Sequence, residues 1–235
     1  MSEHAISASI LAGAMAALVA VGAAAHSLDR LEQRLFDRER YFEIKAAPAP
    51  AFALQDADGN PVGPADFRGK VVILHFVYAS CPDVCPLHAE KLAEVQGMIN
   101  MTPMQDGVEF VTVTTDPLRD GPDVLRAYGD VHGLSPVNWV FLTSGPDLPQ
   151  DTTRRLAEAY GHGFTTGDDG LQMHAIVTHI IDRKGRWRAN FHGLEFNPTN
   201  LVVYVNALVN DNDTHQSGRP GRDEDSLWER LRSLF

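Results

Sequence analysis

Two cysteines among 235 residues are too few for a disulfide-stapled scaffold. Cys81 and Cys85 stand so close in sequence that a bridge between them would restrain little chain, so their value lies in local chemistry. Basic residues are scarce too: 20 Lys and Arg face 31 Asp and Glu, a formal net charge of −11. That acidic balance argues against a nucleic-acid partner, since phosphate recognition needs clustered Lys and Arg. No internal repeat is present, so a repeat architecture is excluded. What is there, a chain that is 44% hydrophobic, suits one globular domain with a real core once the N-terminal stretch is set aside.

That stretch carries no charge from Ala5 to Ala25, close to the ~20 residues a helix needs to cross the hydrocarbon core of a bilayer. Ala23, Ala24 and Ala25 also offer a small-residue cleavage pattern, but the first four residues hold Glu3 and no Lys or Arg, so an uncleaved transmembrane anchor is the preferred reading over a secretory signal. Arg30, Arg34 and Arg38 follow it, and a strict positive-inside count would put the body in the cytoplasm. Leu28, Leu31, Leu35 and Phe36 recur at helical spacing, so residues 1–44 read as anchor plus a short juxtamembrane helix. Residues 45–51, rich in Ala and Pro, read as a semi-rigid linker that holds the domain off the membrane.

The globular part is expected over 52–210. Asp58-Gly59-Asn60-Pro61 is a turn signal, and the β-branched run Val71 to Val77 suits a buried strand. The patterns predict further strands over Val108–Thr114 and Trp139–Leu142, and helices over Leu87–Ile99, Asp123–Val131 and Thr152–Tyr160. A hairpin of Ile176–Asp182 and Trp187–Phe191 follows, turning at Arg183–Gly185, then a last helix over Pro198–Val209. The alternation predicts an α/β fold with a central mixed sheet flanked by helices. Residues 211–235 read as a polar spacer ending in a short amphipathic helix, with Ser226 and Glu229 at capping-box spacing and Leu227, Trp228, Leu231, Leu234 and Phe235 on one face. Either folding back on the domain or a membrane or partner contact would use that face.

The stretch Ser80 to Pro86 carries the chemistry: a buried strand ends in two thiols, and Pro86 suits the first turn of a helix that starts at Cys85. A helix N-terminus lowers a thiol pKa, and the thiolate is the form that binds metal and attacks disulfides. Strand-to-helix turns with two cysteines hold the redox pair of thioredoxin-like folds, here with three intervening residues where two are usual. Soft thiolates select Cu(I), and an added imidazole would suit either copper oxidation state. Among ten histidines, spacing does not choose between His88, His162 and His174; His174 and His179 lie five apart beside a strand, so at most one of those two can serve.

These residues resemble the Sco/SenC family, thioredoxin-fold copper chaperones of cytochrome oxidase assembly. The resemblance rests on CPDVCP at Cys81 to Pro86, TDPLRDGP at Thr115 to Pro122, Phe67-Arg68-Gly69-Lys70, and His174 followed eleven residues later by Gly185; it covers about Phe52 to Val209. It implies that Cys81, Cys85 and His174 bind copper, as Cu(I), Cu(II) or both, and that the domain faces the periplasm or the mitochondrial intermembrane space. It implies a metallochaperone, not an enzyme in the usual sense, that takes copper from an upstream donor to cytochrome c oxidase, at the binuclear copper centre of subunit II. The alternatives are a thiol-disulfide oxidoreductase that uses Cys81 and Cys85 on the copper-accepting partner, or a copper or redox sensor. Met173 stands where the family often has Asp, and Ala79-Ser80 where it commonly has Thr-His. Asp116, Arg119 and Asp120 read as structural support or a partner surface, since hard carboxylates do not suit Cu(I).

Overall fold

Residues 28–166, 172–173 and 175–211 are described by the computed structural model; the proposed anchor, His174 and the amphipathic segment of 226–235 lie outside them. Leu28–Asn210 form one compact unit. Its first element, α1, covers residues 28–38. Among the described residues ten strands follow: β1 (Phe42–Pro48), β2 (Leu54–Asp56), β3 (Pro61–Val62), β4 (Val71–Val77), β5 (Val108–Thr114), β6 (Trp139–Thr143), β7 (Thr165–Thr166), β8 (Gln172–Met173), β9 (Val177–Ile181) and β10 (Arg186–His192). The remaining α-helices among the described residues are α2 (Val84–Asn100), α3 (Pro122–Val131), α4 (Thr152–Ala159) and α5 (Pro198–Val209). Eight strands make one mixed sheet in the order β1-β10-β9-β4-β5-β6-β2-β3, and β7 pairs with β8 separately. β4, β5 and β6 run parallel, as α-helical crossovers dictate, while β9 joins β4 antiparallel.

Alternation along β4 builds the two cores. Val71 and Ile73 face a layer made by α1, α2, α3 and α5, where Leu92, Tyr128, Leu201 and Tyr204 pack. Val72, Leu74 and Phe76 face the other layer, with Leu156 and Ala157 of α4. Both faces of β4 are buried along its whole length, which is why its sequence is an unbroken apolar run apart from His75.

The expected linker is not a linker. Residues 42–48 form an edge strand on β10, pairing Phe42 with Phe191 and Glu43 with Asn190, then Ala47 with Trp187 after a bulge. An edge strand tolerates Pro48, whose missing N–H would break a central ladder. Phe42 holds it in place: its ring packs 5.2 Å from those of both Phe191 and Tyr204, and burying such a side chain contributes roughly 2 kcal/mol. The domain therefore starts at α1, where Leu28 and Leu35 are buried as the spacing predicts and Phe36 is exposed against expectation. Glu32 is buried as well, accepting from Arg188 at 2.6 Å and from the Tyr204 hydroxyl at 2.8 Å. No helix among the described residues is long and apolar enough to cross a membrane.

The β9–β10 hairpin turns as expected, closed by Gly185 N–H to Asp182 C=O at 2.8 Å. Gly185 has φ +77°, a backbone conformation that favours glycine, and a Cβ there would meet the Arg68 guanidinium at 2.5 Å, a contact the exposed arginine side chain can relieve by moving. That contact joins two stretches on which the family resemblance rests.

Candidate metal and thiol centre

β4 delivers its chain to the thiols through a turn fixed from several sides. Cys81 N–H reaches Tyr78 C=O at 3.0 Å, and Thr115 donates backbone N–H and hydroxyl to Val77 C=O. The Asp120 carboxylate, 1% exposed, accepts from Ala79 N–H at 2.8 Å and from the Thr114 hydroxyl at 2.6 Å through the same oxygen. Asp120 thereby bolts the cysteine turn to the end of β5, while Asp116 holds Arg119 beside it. On the far side Tyr128 of α3 donates to Cys85 C=O at 2.9 Å. Both thiols are free and buried, in a small apolar cluster with Val77 and Tyr78.

The two thiols are not equivalent. α2 starts at Val84 with no side-chain cap, and Cys81 Sγ accepts the N–H of Cys85, the second helical residue, at 3.5 Å. Burial raises the Cys81 pKa, but the N–H groups of Asp83 and Cys85 and the Cys85 thiol outweigh it and leave it below the ordinary thiol value. Burial pushes the Cys85 thiol far up, and the neighbouring Cys81 and Asp120 charges add to that. The helix N-terminus thus activates the cysteine that precedes it, not the one that sits in it. Asp120 is raised by its own burial, against the two hydrogen bonds it accepts.

His88 and His162, the other two histidines left open by spacing, are engaged elsewhere. His88 Nε2 meets Thr178 Oγ1 at 2.8 Å, and the ring packs edge-on to His75. His162 Nε2 lies 2.9 Å from His179 Nε2, whose Nδ1 lies 2.8 Å from Asn190 Oδ1. That oxygen also accepts from Trp187 Nε1, and Asn190 Nδ2 donates to Glu43. Asn190 Oδ1 is therefore an acceptor, His179 carries its hydrogen on Nδ1, and His162 donates from Nε2. Among the described residues no three His, Cys, Asp or Glu gather into a metal-binding group, and His174 lies outside those residues.

Burial, with repulsion from His162, holds His179 well below the ordinary imidazole value of 6.5. An unfolded histidine takes up a proton below that pH and the native one does not, so acid favours unfolding. Between pH 7 and pH 5.5 this one group is expected to remove about 1 kcal/mol of stability. Urea midpoints of the parent should fall over that range, and His179→Asn should show the shallower decline.

The family model for SCO1/SenC matches residues 43–210. The chain belongs to the SCO1/SenC family. The human mitochondrial SCO2 homolog is 33% identical over 168 residues, covering 70% of this chain and 62% of that protein. Arabidopsis thaliana ScoI, solved with copper bound, superposes with a TM-score of 0.58 at 25% identity, covering 68% of this chain and 98% of that one. BsSco, described as a member of the Sco family of cytochrome c oxidase assembly proteins with a disulfide switch, shares the fold at a TM-score of 0.62 and 20% identity, covering 72% and 98%. The mixed sheet with helices on both faces is thus a Sco domain of the thioredoxin-like kind.

Sequence reasoning did not find the part played by Tyr78, Thr114 and Tyr128 in this Sco site. Thr114 ends a strand that already carries Glu109 and Thr112, and Tyr128 lies mid-helix, so neither position marks a functional residue.

Proposed function

We propose that this Sco domain binds copper through Cys81, Cys85 and His174 and passes it to a copper site of cytochrome c oxidase, the binuclear centre of subunit II. The observation that carries this is the pairing of two thiols at one helix N-terminus, one of them lowered in pKa. Soft sulfur donors suit Cu(I), and an imidazole extends the set to Cu(II). Copper bound to the Arabidopsis relative and the oxidase-assembly role of BsSco support the reading. Copper is cargo here, taken from an upstream donor and released by ligand exchange. The human relative's mitochondrial name and the uncharged run of 5–25 support a membrane-anchored domain in the intermembrane space or periplasm. The exposed Leu118, in the loop that Asp120 bolts to the cysteine turn, offers a partner a surface beside the site.

The unequal thiols support a second reading, reduction of the partner's cysteines before they accept copper. The Cys81 thiolate would attack a partner disulfide and form a mixed disulfide. Cys85 would then lose its proton and attack the Cys81 sulfur, which releases the partner dithiol and leaves a Cys81–Cys85 disulfide. Copper titration of the reduced full chain separates the two. One copper per chain is expected, lost in Cys81→Ala and Cys85→Ala. In His174→Ala its affinity should drop by more than about tenfold while thiol titration stays the same. Parental copper affinity in His174→Ala would refute the ligand assignment, and a parent that keeps no copper but cycles two thiols would favour the reductase.

A further inference from the structure

By sequence, the stretch from Leu28 to Arg40 is electrically neutral: Arg30, Arg34, Arg38 and Arg40 are offset by Asp29, Glu32, Asp37 and Glu39. The fold separates these charges. Glu32 is turned inward onto Arg188 and Tyr204. Glu39 is turned inward too, accepting from Asn197 N–H at 3.0 Å and Asn200 Nδ2 at 2.8 Å. Both are buried, while all four arginines are exposed with only Asp29 and Asp37 among them. The outward side of α1 is therefore cationic on a chain that carries a net charge of −11.

Arg30, Arg34 and Arg38 also share one row of the helix, spaced four apart. Elsewhere in the domain Arg119, Arg126, Arg155, Arg186 and Arg188 each hold a carboxylate. The three in the row have no carboxylate within ion-pair distance among the described residues, and Asp37 is bonded to Gln33 instead. Phe36, 60% exposed, lies on the opposite flank of the helix from this row. In sequence the uncharged run ends at Ala25, three residues before Leu28, where α1 begins.

We infer that the Arg30–Arg34–Arg38 row is a docking surface for the anionic phospholipid headgroups of the membrane in which the chain is anchored. The inference rests on reading residues 5–25 as that anchor. Because Glu32 and Glu39 fasten the helix to β10 and to α5 and its N-terminal cap, seating it on the bilayer fixes the orientation of the whole Sco domain, in place of a spacer that would let it swing. Arginine on a folded helix can be held at the outer leaflet in this way, which accounts for a basic flank that a positive-inside count alone assigns to the other side.

The test uses the full chain in lipid nanodiscs of phosphatidylcholine, alone or with about a third phosphatidylglycerol, with a photo-crosslinking amino acid at Gln33. Lipid adducts read by mass spectrometry should be abundant only in the anionic discs. They should fall about tenfold or more in the triple Arg30→Gln, Arg34→Gln, Arg38→Gln variant and persist in the corresponding Lys triple. These side chains make no ion pair in the domain, so the variants should fold, with thermal unfolding as the control. Equal adducts in the two kinds of disc, or adducts to a second copy of the chain, would overturn the docking surface while leaving the anchor in place. A chain that does not enter the discs would overturn the anchor reading and the inference together.

Discussion

Cys81→Ser is expected to slow alkylation of the native reduced chain by iodoacetamide at neutral pH by about a hundredfold or more. Cys85→Ser should leave the rate close to the parent's. Exposure does not explain such a difference, since Cys81 is 7% and Cys85 4% exposed. The thiolate population does: Cys81 is lowered by the N–H groups of Asp83 and Cys85, which oppose its burial, whereas burial drives Cys85 far up. Each unit of separation changes the thiolate fraction tenfold, and the lower intrinsic nucleophilicity of the more acidic thiol gives back a little under half of that. Ser at position 85 keeps the backbone N–H that meets Cys81 Sγ and supplies a hydroxyl donor in place of the thiol that also lowers Cys81, so the activation of Cys81 survives. Copper binding should vanish in both variants if both sulfurs are ligands. Thiol reactivity and metal binding are then separated by one pair of substitutions. Preferential silencing by Cys85→Ser would show that the helix N-terminus activates the cysteine inside it, and the assignment of roles would reverse.

That division of labour shows where sequence reasoning stops. The spacing of Cys81 and Cys85 after a β-branched run is visible in the sequence, and β4 and β5 fall where the apolar runs end, because both strands are buried on both faces. α5 is equally plain, with Pro198 opening it and Val209 closing it. Which sulfur receives the helix N–H groups depends on α2 starting at Val84, and a one- or two-residue shift in a helix start lies below what a pattern resolves. The histidines are undecided in sequence for a similar reason. His88 is tied to Thr178 and His162 to His179 by contacts across 90 and 17 residues, and no spacing rule contains them. β1 was hidden because Ala and Pro in alternation fit a linker as well as an edge strand; only the register with β10, more than 130 residues away, decides it. β2 and β3, of three and two residues, are too short to show a period, although the turn between them is legible in Asp58-Gly59.

Asp120 lies between these extremes, marked by resemblance but with a role only the fold defines. Asp120→Ala is expected to destabilise the domain by about 3 kcal/mol, because Ala79 N–H and the Thr114 hydroxyl lose their shared buried acceptor. For a chain of this size that is a fall of roughly 10 °C in Tm. Asp120→Asn keeps an oxygen that can accept from both donors and should stay within about 1 kcal/mol of the parent. It removes the charge that helps to hold Cys85 protonated, so the second alkylation, at Cys85, should become faster while the first is little changed. Thermal unfolding and alkylation counted by intact mass read the two effects separately. If the Asn variant unfolds as readily as the Ala variant, the charge of Asp120 and not its acceptor geometry fastens the cysteine turn. If the Ala variant is as stable as the parent, the bolt between β5 and the turn carries no weight, and the position of Cys81 must be set by the Tyr78 turn and the start of α2 alone.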